Sequence, residues 1–209
     1  QEQAVPFHLV MGNHDHRGDT GLWLAAAENY PAIIFPNHFY AEAYGDVCIL
    51  SLDTLLHRQR EYGQEDWLQD TLKALQGTCK LSIALGHVAY LSVGDGHGNA
   101  TGGERRFLRR NVVGHVDAYI SGHEHNLQVL EEDGTLLLVA GGGGAWLGSI
   151  ARGAEAHYAK SSLGFVTLEF KQTGDSAQAI WTVREVLDDG TVRTGASGQI
   201  SGQGIRLVQ

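Results

Sequence analysis

The sequence predicts a layered α/β fold or α+β sandwich, with helices packed on sheets. Three observations carry this. Apolar strand-like runs alternate with helical ones up to about residue 120. Strand-like runs dominate afterwards. No linker or internal repeat divides the 209 residues, which suffice for one domain with a substantial core.

The elements follow in order. VPFHLVM (5–11) reads as a buried strand ending at Gly12. TGLWLAAAENY (20–30) has helical composition and stops at Pro31, and FPNH (35–38) is a turn. HFYAEAYG and DVCILSLD (38–45 and 46–53) read as two strands joined tightly at Gly45-Asp46. GQEDWLQDTLKALQG (63–77) is the clearest helix: acidic residues open it, Gly77 closes it, and Trp67, Leu68, Thr71, Leu72 and Leu75 share a face. KLSIALG (80–86) is a strand, SVGDGHGNATGG (92–103) a glycine-rich loop, and ERRFLRRNVV (104–113) a helix with a basic solvated side. VDAYISG (116–122) is a third strand ending in glycine. LQVLEEDGTLLLVAG (127–141) is a hairpin turning at Asp133-Gly134. GFVTLEFKQ, AIWTVREVL and GTVRTG supply the last strands.

Composition narrows the function classes. The net charge of −9 argues against a duplex nucleic-acid binder, which needs a basic surface. An acidic chain still binds phosphate where metal ions supply the positive charge. No apolar run reaches the roughly 18 residues of a membrane span, and no signal peptide is visible. The chain starts at Gln1, so further sequence is expected upstream. Cys48 and Cys79 each fall within a strand-like run, DVCILSLD and TCKLSIALG, and read as buried free thiols, one bridge being the alternative.

Eleven histidines are many for this length, and several adjoin Gly, Asn or Asp. Three runs end alike: LVMGNHDH (9–16), IALGHVAY (83–90) and YISGHEHN (119–126). Each is an apolar strand, then Gly, then His within two residues. One Gly-His pair is ordinarily just a turn. Three from neighbouring strands converge their imidazoles at the carboxyl edge of a sheet, where sites gather. Neutral imidazole is a common metal ligand, and GNHDH adds an amide and a carboxylate to the row.

GNHD, the later GH and the final GHxH resemble the last three motifs of the calcineurin-like metallophosphoesterases. The likeness is greatest to the purple acid phosphatase branch, the tartrate-resistant type in particular. LVMGNHDH, ILSLDT, the helix carrying Trp67-Leu68 and SGHEHNLQ carry it, and it extends to about residue 170. The resemblance implies two packed mixed β-sheets flanked by helices, without the N-terminal strands. Residues 1–209 would then be the C-terminal part of a single domain, with 1–170 as family core and 171–209 as C-terminal strands.

The same resemblance implies a binuclear centre of Fe, Mn or Zn. Asn13, His87 and His123 would hold one metal and His125 the other, with Glu124 pointing away. Two metals about 3.5–4 Å apart hold a hydroxide and clamp the phosphoryl oxygens. His14, oriented by Asp15, would assist the leaving group. His97 would face the substrate. The implied reaction is hydrolysis of phosphate esters, monoesters before diesters, in a secreted or periplasmic setting.

The family's two earlier motifs, an Asp-x-His/Asp and a Gly-Asp, do not precede GNHD here. Gly18-Asp19 and Gly94-Asp95 follow no apolar strand. The expectation is that a segment upstream supplies them, and that this chain alone binds the second metal poorly and is weakly active or inactive. A non-catalytic module and a mononuclear zinc hydrolase are the competing classes, the latter ranked last because Asn is a poor zinc ligand.

The remaining candidates read more plainly. Ala89 stands where many relatives have Pro, which affects the loop after His87. His16 reads as lining the pocket rim and His8 as a core or supporting residue. His38, His57, His115 and His157 read as surface or capping residues. GGGG (141–144) lacks the Lys-Ser/Thr of a phosphate loop and reads as a flexible turn near the site. RRFLRR (105–110) reads as a solvated helix face.

Overall fold

The computed structural model describes residues 5–55, 63–153, 155–173 and 176–208. His57 lies outside the described residues. A short strand β1 (Phe7–His8) is followed by helix α1 (Gly21–Asn29) and β2 (Ile33–Ile34), which pairs with β1 in parallel. Strands β3 (Tyr40–Tyr44) and β4 (Val47–Ser51) form the expected tight antiparallel pair, Tyr44 opposite Val47. Helix α2 (Gln64–Leu75) leads to β5 (Leu81–Leu85), and helix α3 (Gly102–Asn111) to β6 (Ala118–Ser121). Strands β7 (Leu127–Glu132) and β8 (Thr135–Ala140) make the predicted hairpin, Glu132 opposite Thr135. Then come β9 (Tyr158–Lys160), β10 (Leu163–Thr173), β11 (Ser176–Val186), β12 (Val192–Ser201) and β13 (Gly204–Val208).

The larger sheet has seven strands in the order β3-β4-β5-β6-β8-β7-β9. It is mixed: β4, β5, β6 and β8 run parallel, while β3, β7 and β9 pair antiparallel with their neighbours. The smaller sheet, β10-β11-β12-β13, is an antiparallel meander.

Period-2 alternation builds the layers. Along β8, Leu136 and Leu138 face the four-stranded sheet with Trp181, Val183 and Ile200, whereas Leu137 joins the helix side. Leu68 of α2 and Phe107 and Leu108 of α3 are buried on that helix side. Trp67, Leu72 and Leu75 pack beside them, so the face predicted for α2 is the one that packs. Arg109 and Arg110 of α3 are exposed, as predicted, while Arg105 sits over the Tyr90 ring, 4.8 Å from its centroid.

Two expectations change here. The first strand shrinks to Phe7–His8, with Val5 and Phe7 exposed rather than buried. Among the described residues β1 pairs with β2 alone, so its outer face has nothing to pack on. His8 is accordingly no core residue: it pairs with Glu42 at 2.6 Å on the partly exposed side of β3.

The second change is that Cys48 and Cys79 form a disulfide, not free thiols. Cys48 lies within β4 and Cys79 just ahead of β5, the parallel neighbour of β4. The crossover through α2 brings their Cα atoms to 5.8 Å, inside the range a disulfide spans. The bridge closes a loop of sequence separation 31. Its removal in Cys48→Ser/Cys79→Ser should lower unfolding free energy by about 2–4 kcal/mol, chiefly by freeing the unfolded chain. Urea titration of the variant against the unreduced protein checks this.

Candidate metal centre

The parallel pairing of β5 with β6 puts their carboxyl ends side by side. Each strand is followed at once by Gly-His, so His87 and His123 emerge at one edge. Gly86 is required by close approach. A Cβ there would lie 2.5 Å from Tyr119 Oη and 2.8 Å from Thr54 Cγ2. Asn13 reaches the same edge from the turn that follows β1.

The donor atoms meet. Asn13 Oδ1 lies 2.9 Å from His87 Nε2, which lies 3.0 Å from His123 Nδ1. Burial, then the neighbouring His123, lowers the pKa of His87 to about 4. Burial, then His97, lowers that of His123 to about 4. Both rings are therefore neutral near neutral pH, with lone pairs available to a cation. His123 also has φ of 66°, a left-handed conformation uncommon outside glycine, which the surrounding contacts must hold in place.

The turn after β6 separates its side chains. Glu124 N–H donates to Gly122 O and Asn126 N–H to Glu124 O, both at 2.8 Å. Glu124 turns inward, fully buried, and its Oε1 accepts the N–H groups of His97 and Gly98. Asn126 Nδ2 donates to Oε2 at 3.4 Å, and Gln128 Nε2 donates to Asn126 Oδ1 at 2.7 Å. The buried carboxylate thus fixes the glycine-rich loop that carries His97. That ring stacks on His123 with centroids 3.9 Å apart, and stands 5.6 Å from the ring of His125.

His125 is held by the loop that follows β8. Its Nδ1 is 2.8 Å from Trp146 O. A carbonyl can only accept, so Nδ1 carries the proton and Nε2 keeps its lone pair, the usual arrangement of a ligating imidazole. The GGGG segment after β8 leads into this loop, and Gly141 N–H donates to Asn126 O at 3.0 Å, which places the start of the segment beside the turn that carries His125.

Asn13, His87, His97, His123 and His125 are therefore brought together. His14 is exposed beside them. Asp15 does not orient His14. Its Oδ2 accepts Gly12 N–H at 2.8 Å, and no hydrogen bond joins it to His14 among the described residues. The two are consecutive at the start of a 3₁₀ turn (Asp15–Arg17), and adjacent side chains there diverge.

Three residues take places that sequence reading missed. His16 does not line the rim and His38 is not a surface cap. Both hydrogen-bond to Asp53, His16 Nε2 at 2.8 Å and His38 Nδ1 at 3.2 Å. Asp53 is the second residue after β4, at the edge that carries His87 and His123. A carboxylate ending the apolar run ILSL was the signal available. His115 and His157 are exposed, as expected.

A sequence model of calcineurin-like phosphoesterases matches residues 1–127. The chain belongs to this family. Within the calcineurin-like phosphoesterases, it is 26% identical over 189 residues to tartrate-resistant acid phosphatase type 5 of Sus scrofa, covering 79% of this chain and 54% of the relative. It is 29% identical over 169 residues to purple acid phosphatase 3 of Arabidopsis thaliana, covering 68% and 45%. The chain thus spans about half the length of the curated relatives it matches. The fold is similar to that of a purple acid phosphatase from yellow lupin (TM-score 0.66, 21% identity, 95% of this chain and 39% of that one). It is also similar to GAP50, described as the anchor in the inner membrane complex of Plasmodium (TM-score 0.75, 20% identity, 100% and 69%). No helix among the described residues is long and apolar enough to cross a membrane.

Proposed function

We propose that this chain forms the larger part of a binuclear metal-dependent phosphoesterase that prefers monoesters. The observation that carries the reading is the convergence of Asn13 Oδ1, His87 Nε2 and His123 Nδ1. An amide oxygen and two neutral imidazole nitrogens, spaced at 2.9 and 3.0 Å, form a mixed O and N donor set that would hold one transition-metal ion. His125 offers Nε2 to a second metal. A bound metal pair supplies charge neutralisation on the phosphoryl group and activates water. The chain's own part is to hold ester and proton donors in place. Exposed His14 donates to the leaving-group oxygen, and His97, stacked on His123, hydrogen-bonds a phosphoryl oxygen.

The second metal needs carboxylates that the described residues do not place beside His125. An upstream segment supplies them in this reading. Val5, Phe7, Leu22, Tyr30 and Tyr44 are exposed apolar side chains available to such a segment. The Cys48–Cys79 bridge fits an oxidising compartment, secreted or periplasmic.

The test uses the full-length protein with a chromogenic phosphomonoester and the matching diester. Hydrolysis of the monoester should be faster, and His14→Ala should lower kcat on it by about 10²–10⁴-fold, the usual worth of general acid catalysis. Full rate in His14→Ala removes the proton-donor role. Metal bound without hydrolysis of either ester favours the non-catalytic module.

A further inference from the structure

We propose a separate zinc site, built by His16, His38 and Asp53, that anchors the turn carrying Asn13 and His14. The three donors come from three segments: the 3₁₀ turn, the turn ahead of β3, and the residue pair after β4. Their ligand atoms all lie within 4.8 Å of one another. His16 Nε2 is 2.8 and 3.0 Å from the two Asp53 oxygens, and His38 Nδ1 is 3.2 Å from Oδ2. These edges approach the roughly 3.3 Å between ligands of a tetrahedral zinc ion. Two imidazoles and one carboxylate match the borderline character of zinc better than that of calcium or magnesium, which favour all-oxygen sets.

Asp53 is a buried carboxylate that gathers the two imidazoles. Its side chain has no exposed surface, and His16 Nε2 reaches both of its oxygens while His38 Nδ1 reaches Oδ2. A carboxylate taken out of water is costly unless a cation or full hydrogen bonding compensates. Asp53 is also held rigidly. Gln64 accepts its N–H at 2.9 Å and donates to its carbonyl at 2.8 Å, and Leu55 N–H donates to Oδ1 at 3.0 Å. Such outer support preorganises a metal site. The imidazoles are less enclosed, 22% and 12% exposed for the side chains of His16 and His38, which leaves an approach for the ion and a fourth position for water.

This site is independent of the centre at Asn13, His87 and His123 and stands or falls separately. In the full-length protein, His16→Ala/His38→Ala should lower bound zinc by one equivalent per chain relative to its parent. The same one-equivalent drop is expected in a His87→Ala/His123→Ala background. Equal zinc content with and without the His16 and His38 changes overturns the proposal. Crystals of the unaltered protein grown with zinc chloride give a test free of folding effects. Anomalous density between His16, His38 and Asp53 supports the site, and zinc density confined to the Asn13 centre overturns it.

Discussion

His87→Ala should weaken metal binding at the Asn13 centre by more than about 100-fold, because groups that merely support a ligand are already worth 10–100-fold. His87 Nε2 is the shared vertex of the donor cluster, in contact with both Asn13 Oδ1 and His123 Nδ1. Its removal takes one donor and leaves His123 without the neighbour that positions it. Phosphate-ester hydrolysis by the full-length protein should fall in step. Competition with a chromophoric chelator measures the affinity directly. The zinc at His16, His38 and Asp53 should remain. Unchanged affinity in His87→Ala would remove His87 from the ligand set.

Trp181→Ala should cost about 3–5 kcal/mol of stability, the range for emptying a large aromatic from a core. Trp181 is 1% exposed and joins the four-stranded sheet to Leu81, Ile83, Leu136 and Leu138 of the larger one. Its place depends on Gly198, directly opposite on β12. A Cβ at Gly198 would crowd the indole and come within 2.5 Å of Arg206 O. Trp181→Phe should cost less, because the indole Nε1 finds no hydrogen-bond acceptor among the described residues and its loss forfeits no bond. Urea unfolding with an unchanged slope would read both values. A loss below about 1 kcal/mol for Trp181→Ala would place the main coupling of the sheets elsewhere in the interface.

Much of this was legible from the chain. Asp133-Gly134 between two apolar runs predicts a hairpin, and β7 pairs with β8 antiparallel across that turn. The spacing of Trp67, Leu68, Leu72 and Leu75 predicts the packed face of α2. The Gly-His ends of neighbouring β5 and β6 predict one cluster, and His87 meets His123; the GNHD turn follows β1 of a separate two-stranded sheet and brings Asn13 to them instead of a histidine. The pairing of Asp15 with His14 was misread because a motif gives order along the chain, not the direction in which consecutive side chains leave a 3₁₀ turn.

What the sequence by itself determined is therefore periodic or local: layers, strand ends, the tight hairpin, and histidines delivered to one edge. Tertiary structure alone decided the contacts that join distant segments. Cys48 meets Cys79 across the α2 crossover, and Asp53 gathers His16 and His38 from separations of 37 and 15 residues. Glu124, expected only to point away from the metals, is the buried anchor of the His97 loop from 27 residues away. Side-chain periodicity reports which face of an element is apolar. It carries no information about which polar group another segment will bring to that face, because that depends on strand order and crossover, which fix the neighbours.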